Sequence, residues 1–377
     1  MNPSTASCLF LKFLINTSRV FWKEELTQDL TPDESAIQQK NLINKLYALG
    51  YLIFRYKDAS RPWFVWSMDN KISDENESHG GSGKSIFAQA PKYFMQYVVL
   101  NGRNPRLTHN DFCLERVTPI TDYLLVDDCS RYFDFDFFFP YTTGEGVVNR
   151  KAKESLIIKF EDFPKIHGTS NYSPHNIDPS KQRRLLYTLF SDYYHFGPSD
   201  DYAEARSPKD DFGKNLFTDF NDTEWNLFYN TCAQAVKLYL NYDKIDAPGE
   251  NINKRNMAAI MGDNFRGWAD LYFHPDSHKL DVLLLKKDTY DVFVNEHKPK
   301  NYTVARFKKA LHAWCRFKNY RFNPHEMCNQ DERILKYEDD TTKEFIYIKT
   351  QEAWHEDVRE MVQGGVINEM AEEEMGT

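Results

Sequence analysis

Ser78-His79-Gly80-Gly81-Ser82-Gly83-Lys84-Ser85 is the stretch whose reading decides the fold. An apolar run at 63–68 precedes it across a polar loop (69–77) and predicts a strand, while 86–97 follows and predicts a helix. A glycine-rich loop between strand and helix is the context of a phosphate-binding P-loop. Backbone N–H groups of Gly80, Gly81, Ser82, Gly83, Lys84 and Ser85 cradle phosphates at a helix N-terminus, Lys84 reaches the β/γ-phosphates and the Ser85 hydroxyl binds Mg²⁺. The full pattern has Gly in its first position, where this chain has Ser78, but the Gly-Gly-Ser-Gly-Lys-Ser core is intact. A surface linker of similar composition is the competing reading.

Two further segments extend a nucleotide site to a hydrolytic one. Asp122-Tyr123-Leu124-Leu125-Val126-Asp127-Asp128 is an apolar strand ending in two acids. Such a strand delivers carboxylates to the carboxyl edge of a parallel sheet, where Asp127 can hold Mg²⁺ and Asp128 can orient the attacking water. Pro164-Lys165-Ile166-His167-Gly168-Thr169-Ser170-Asn171 predicts a short strand between the other two, with Asn171 at its tip facing the γ-phosphate or the water.

Lys84 and Asp127 are 43 positions apart and Asp127 and Asn171 are 44 apart, so the whole set fits within about one hundred residues, which is small for such a core. This compact order resembles the superfamily 3 helicases of viruses, phages and mobile elements. More narrowly, it resembles the helicase half of phage and bacterial mobile-element primase–helicases, over residues 60–195. The resemblance implies an α/β, AAA+-like P-loop core that hydrolyses ATP with Mg²⁺. It also implies a homo-oligomeric, hexameric ring on single-stranded DNA in DNA replication, in the cytoplasm of a bacterial host cell. A primase would lie upstream or in trans.

In that family the element between the second and third motifs is a DNA-gripping hairpin. Here it corresponds to 143–153 (Thr143-Gly144-Glu145-Gly146-Val147-Val148-Asn149-Arg150-Lys151-Ala152-Lys153), followed by a strand at 155–160. A Gly-rich turn and the basic Arg150, Lys151 and Lys153 suit phosphate contact, although an ordinary surface hairpin has the same composition. Arg183 and Arg184 follow in a helix that starts after an N-cap Ser180 and continues through 185–190. Positive side chains near a helix N-terminus oppose its dipole, so an outside partner is expected. The resemblance implies that one of them reaches the neighbouring subunit's nucleotide; a salt bridge to Asp178 or Asp192 is the alternative.

The formal charge of −9 argues at first against nucleic acid, but its distribution matters more. Residues 265–325 carry twelve Lys/Arg against six Asp/Glu, while acids gather at 199–224 and in the tail from Glu356. The six cysteines are scattered without a C-x-x-C pair, which predicts neither a zinc site nor a disulfide framework. No run is long enough for a membrane span, and 9–15 is too short and interrupted to be a signal peptide. The aromatic run 132–141 reads as packing.

The domain organisation expected is a helical, collar-like region at 1–60 (helices at 9–26 and 37–55), the ATPase core at 61–195, and an acidic linker with helical extension at 196–262 (helix 224–240). A winged-helix-like domain at 263–350 and an acidic tail at 351–377 complete it. In the winged-helix-like part, helices at 265–273 and 288–295 precede a recognition helix at 303–315. Val304, Phe307, Leu311 and Trp314 form its apolar face, with Arg306 and Lys309 outward for DNA, and 335–349 forms the wing around Asp339-Asp340. The reading that unites these features is an ATP-dependent superfamily 3-type DNA helicase. An initiator that uses ATP as an oligomerisation switch and a small-molecule phosphotransferase are its competitors.

Overall fold

The structure is a computed structural model that describes residues 7–70, 81–131, 133–174, 179–197, 202–249, 257, 260–300, 302–331 and 333–350. Ser78, His79 and Gly80 of the glycine loop, Asp178 and the acidic tail 351–377 lie outside the described residues. The chain divides into two compact units, 1–253 and 254–377, so the N-terminal helices, the glycine-loop segment and the 224–240 helix belong to one unit.

The first unit contains helices α1 (Leu9–Asn16) and α2 (Pro32–Ile53), strand β1 (Phe64–Asp69), α3 (Lys84–Gln89), β2 (Tyr97–Asn101), β3 (Tyr123–Cys129) and α4 (Phe135–Phe138). These are followed by β4 (Gly146–Arg150), β5 (Lys153–Ile158), β6 (Lys165–Ser170), α5 (Pro179–Arg184), β7 (Leu185–Phe190), α6 (Pro208–Phe212) and α7 (Asp222–Asn241). Five strands form one parallel sheet in the order β2-β3-β6-β1-β7. Every residue of β1, β6 and β7 is buried, as expected for parallel strands covered on both faces. Alternate side chains serve two cores. Phe64, Trp66 and Met68 pack with Phe133, Phe135 and Phe138 on one face, and Val65 joins the α1, α2 and α7 side chains on the other.

Several sequence expectations change. The helix expected at 9–26 stops at Asn16, where Thr17 and Ser18 turn their hydroxyls back onto the Leu14 carbonyl. The helix expected at 86–97 ends at Gln89, because Pro91 follows within a 3₁₀ turn, and Tyr97 instead opens the edge strand β2. The helix expected through 185–190 ends at Arg184. Leu185–Phe190 is β7, paired with β1 from Phe64 opposite Leu185 to Asp69 opposite Phe190, and Ser180 lies within α5 rather than capping it. A short apolar run has no periodicity to separate buried strand from buried helix, and here the sheet claimed it.

The β4–β5 hairpin does not turn at its glycines. The turn is Lys151-Ala152, with Ala152 in the left-handed region, while a side chain at Gly146 would fall 2.1 Å from the Phe163 ring. Gly146 therefore allows close packing at the hairpin base.

Two buried contacts tie the unit together. α2 begins with a capping box between Thr31 and Glu34 and packs on α7, itself capped by Asn221 and Glu224. A Cβ on Gly50 would lie 2.0 Å from the Ala235 carbonyl oxygen, so the two helices meet backbone to backbone. Within the sheet, Ser67 Oγ lies 2.7 Å from both Thr188 Oγ1 and His167 Nε2, and His167 Nδ1 lies 2.7 Å from Tyr123 Oη. Tyr123 donates to the Ala88 carbonyl of α3 at 3.1 Å, so its oxygen accepts from His167 Nδ1–H. His167 therefore donates from Nδ1, and the neutral ring that its burial favours accepts from Ser67 at Nε2. Burial, with a smaller effect from Lys92, lowers its pKa to about 3.

The second unit holds α8 (Asp263–Tyr272), β8 (Leu283–Leu285), α9 (Lys286–His297), α10 (Val304–Phe317), β9 (Arg321–Phe322), β10 (Ile334–Glu338) and β11 (Thr341–Lys349). Phe265, Trp268, Phe293, Phe307 and Trp314 form its aromatic core, and an antiparallel sheet ordered β10-β11-β8 lies with it. Asp339 and Asp340 both have positive φ in the two-residue turn between β10 and β11, as a type I′ hairpin requires. Val304 is 40% exposed rather than part of the buried face of α10. No described helix is long and apolar enough to cross a membrane, and no metal-binding cluster of His, Cys, Asp and Glu occurs among the described residues.

Gly50→Ala on an open helix would add about 0.5–1 kcal/mol of stability. Here we expect a loss of about 1–3 kcal/mol in urea denaturation, because α2 and α7 must separate to admit the methyl group; a stabilised variant would contradict this contact. His167 generates a pH test. Its folded pKa lies below its unfolded value of about 6.5, so its contribution is complete above that pH and is lost as pH falls toward 3. His167→Gln should be less stable than wild type at pH 7, and the difference should shrink on acidification. A constant difference from pH 7 to pH 4 would exclude a buried neutral histidine.

Candidate functional site

The site lies at the carboxyl edge of the parallel sheet, where strands end in polar residues and open-sheet folds bind ligands. A cleft of about 300 Å³ is lined by Gly81, Ser82, Gly83, Lys84, Ser85, Ile86, Arg103, Asp127, Asp128, Thr169, Ser170 and Asn171. The described part of the glycine loop, the paired acids and the tip of β6 therefore share one wall system. β6 stands between β1 and β3, which carries Thr169 and Asn171 between the loop and the acids.

Gly81 and Gly83 have φ of 97° and 100°, a region closed to most side chains, and Gly83 is the N-cap of α3. Their bareness also has local causes. A Cβ on Gly83 would fall 2.7 Å from the Phe13 ring, and one on Gly81 would fall 2.9 Å from the Phe196 ring. α1 and the segment after β7 thus press on the loop from outside. Ser85 is exposed in the cleft, whereas Lys84 is 8% exposed.

Lys84 has a partner that sequence reasoning missed. Its ammonium donates to Asp69 Oδ1 at the end of β1 and to Ser82 Oγ at 3.0 Å, and Ser82 Oγ also donates to Asp69. Asp69 is 4% exposed, so a buried carboxylate holds the lysine at the cleft floor. The signal in the sequence is an acid closing the apolar strand that precedes the glycine loop, the same pattern that ends β3.

The two acids are positioned by a break in the strand. The β3–β6 register shifts between Val126 and Cys129, and Asp128 has φ of 56°, an unusual backbone state for a residue other than glycine. Thr169 holds this shape, since its hydroxyl donates to Asp127 Oδ1 and accepts the Asp128 N–H, each at 2.7 Å. Asp128 also pairs with Arg103 at 2.5 Å, an arginine absent from the sequence reading. Arg103 follows an Asn101-Gly102 turn after β2, and a Cβ on Gly102 would lie 2.7 Å from Cys129 Cα. The turn depends on β2, which lies where the sequence predicts the end of a helix. Buried Cys129, behind the acids, has its thiol pKa pushed up by burial and then by Asp127 and Asp128, so it stays protonated.

The remaining candidates lie outside the cleft lining. Arg150 donates twice to the Glu154 carbonyl across its own hairpin, at 3.0 and 2.9 Å, whereas Lys151 and Lys153 are exposed at the tip. Arg184 lies over the Phe139 ring, 4.1 Å from its centroid, and Arg183 is exposed on the same short helix. Asp192 is engaged by Trp22 and Tyr202. On α10, Arg306 and Lys309 are exposed, with Arg306 5.0 Å from the Tyr302 ring centroid.

No protein-family model matches the chain, and no curated protein matches it. Among solved structures it is similar to the A form apo structure of the NrS-1 C terminal region, at 11% identity and a TM-score of 0.38, covering 90% of this chain and 75% of that one. It is also similar to the A form apo structure of that region given as residues 305–718, at 13% identity and a TM-score of 0.40, with the same coverages. Likenesses at this level are too distant to carry an argument about this chain's activity.

Proposed function

We propose that this chain is an ATP-dependent DNA helicase of the superfamily 3 type, acting in phage or mobile-element DNA replication. The observation that carries the reading is the single cleft that gathers Lys84, Ser85, Asp127, Asp128 and Asn171 at the carboxyl edge of a parallel sheet. A phosphate chain laid along Gly81–Ser85 would draw Lys84 away from Asp69. Ser85 and Asp127 are hard oxygen donors of the kind Mg²⁺ takes alongside phosphate and water oxygens, so the residues fit that ion. Bound there, it would neutralise charge on the phosphates. Asp128 is the residue to orient the attacking water, once released from Arg103, and Thr169 keeps the acids in place.

The DNA part of the reading rests on Lys151 and Lys153, which extend from the hairpin tip, and on the exposed Arg306 and Lys309 of α10 as a winged-helix surface. Arg150 is the weaker contact, because its guanidinium already serves the hairpin. In a ring, Arg183 is the better finger for a neighbouring site, since Arg184 is stacked on Phe139.

ATPase measured with and without single-stranded DNA tests this function. Wild type should be stimulated, Lys84→Ala should lose binding or turnover, and Asp128→Asn should bind ATP but hydrolyse it slowly. Replacing Lys151 and Lys153 together with Ala should keep basal hydrolysis, abolish stimulation and lower the salt slope of binding by roughly 0.7 per lost contact. Hydrolysis indifferent to DNA would favour the phosphotransferase, and DNA binding without stimulation would favour the initiator.

The ring generates a separate test. Turnover per subunit should rise with protein concentration, and Arg183→Ala should bind ATP yet turn it over poorly. Mixing Arg183→Ala with Lys84→Ala subunits should restore part of the activity, because some interfaces then pair an intact lysine with an intact arginine. Concentration-independent turnover and no rescue would exclude a finger supplied in trans.

A further inference from the structure

The cleft residues account for the phosphate end of a nucleotide but leave its base unassigned. Across the carboxyl edge of the sheet, the chemistry follows strand order. The acids end β3, Thr169 and Asn171 mark β6, the glycine loop follows β1, and the segment leaving β7 comes last. A triphosphate whose terminal phosphate lies at the acids would therefore direct its nucleoside toward the β7 side. Three strand spacings separate β3 from β7, about 14 Å, which is close to the length of a nucleoside triphosphate.

Phe196 stands at that end. Its ring lies against Gly81, yet the residue is 72% exposed, so it contributes little to the core. A lone exposed aromatic is ordinary on a protein surface; one held against a phosphate-loop candidate on a braced backbone is a different observation. The His195 ring is stacked between Trp22 and Tyr202, with centroids 5.7 and 3.9 Å away. Its two nitrogens lie 2.9 and 3.1 Å from the Asp192 and Glu204 carbonyl oxygens. Its backbone exchanges two 3.0 Å hydrogen bonds with Arg206. At Gly197 a Cβ would fall 2.5 Å from the Glu204 backbone, so the chain packs closely against that segment beside the exposed ring.

We propose that Phe196 is the stacking platform for the nucleobase and that the cleft favours purine over pyrimidine nucleoside triphosphates. This rests on the nucleotide reading above. An aromatic face accepts any base, but the larger purine covers more of it, and stacking makes little distinction between adenine and guanine.

Calorimetric titration with ATP, GTP, CTP and inorganic tripolyphosphate, each with Mg²⁺, tests the assignment on the full chain. Wild type should bind ATP and GTP more tightly than CTP. Phe196→Ala should weaken ATP on the order of tenfold, bring it near CTP and leave tripolyphosphate unchanged, while Phe196→Trp should retain the purine preference. Unchanged ATP affinity in Phe196→Ala, or equal weakening of ATP and tripolyphosphate, would overturn the base platform. If Lys84→Ala then still abolishes binding of both, the nucleotide reading survives that failure. Wild type that binds none of the four ligands would overturn both.

Discussion

A single hydrogen-bonded chain, Thr188–Ser67–His167–Tyr123–Ala88, crosses β7, β1, β6 and β3 and ends on α3. It runs through the interior of a sheet buried on both faces, where each unpaired hydroxyl or imidazole nitrogen would cost about 1–3 kcal/mol. Because every member has one direction to donate, the chain admits one register among four strands. That register places Thr169 two residues beyond His167 at the height of Asp127, and keeps Lys84 at the entry of the helix anchored by Tyr123. The site above the sheet inherits its alignment from this buried line.

Above it, polar groups are paired so that each holds another in place. Thr169 bridges the Asp127 side chain and the Asp128 backbone, Arg103 holds the Asp128 carboxylate, and Asp69 holds Lys84. Burial demands such a partner for Lys84 and Asp69, whereas Arg103 and Asp128 pair in the open, and the Thr169 bridge keeps the positive-φ backbone at Asp128 in place. The lysine and the second acid each have a partner to exchange for a ligand, so binding at this cleft would replace contacts rather than fill an unordered space.

Much of the site was legible in the chain. The Gly81–Ser85 loop announces itself by glycines that meet φ near 100°, and the Asp127-Asp128 strand by an apolar run with a polar end. The tip of β6 was legible too, because its short polar sequence had to sit between those two. Asp69 and Arg103 were not, since their roles arise from residues 15 and 25 positions away along the sequence. Nor was the assignment of 185–190 to a strand, because an apolar run of that length packs equally well as either element.

The sequence by itself determined the α/β class, the phosphate-loop candidate, the acids and the hairpin, since each depends on local backbone demands or on apolar patterning. Tertiary structure alone decided that β7 flanks β1, that Gly146 packs on Phe163 instead of turning the hairpin, and that Arg184 is committed to Phe139 while Arg183 is exposed. It also decided that Phe196 lies on Gly81. These outcomes depend on which distant surfaces fill the same volume, and close packing settles that for the whole molecule at once, in a way no window of sequence contains.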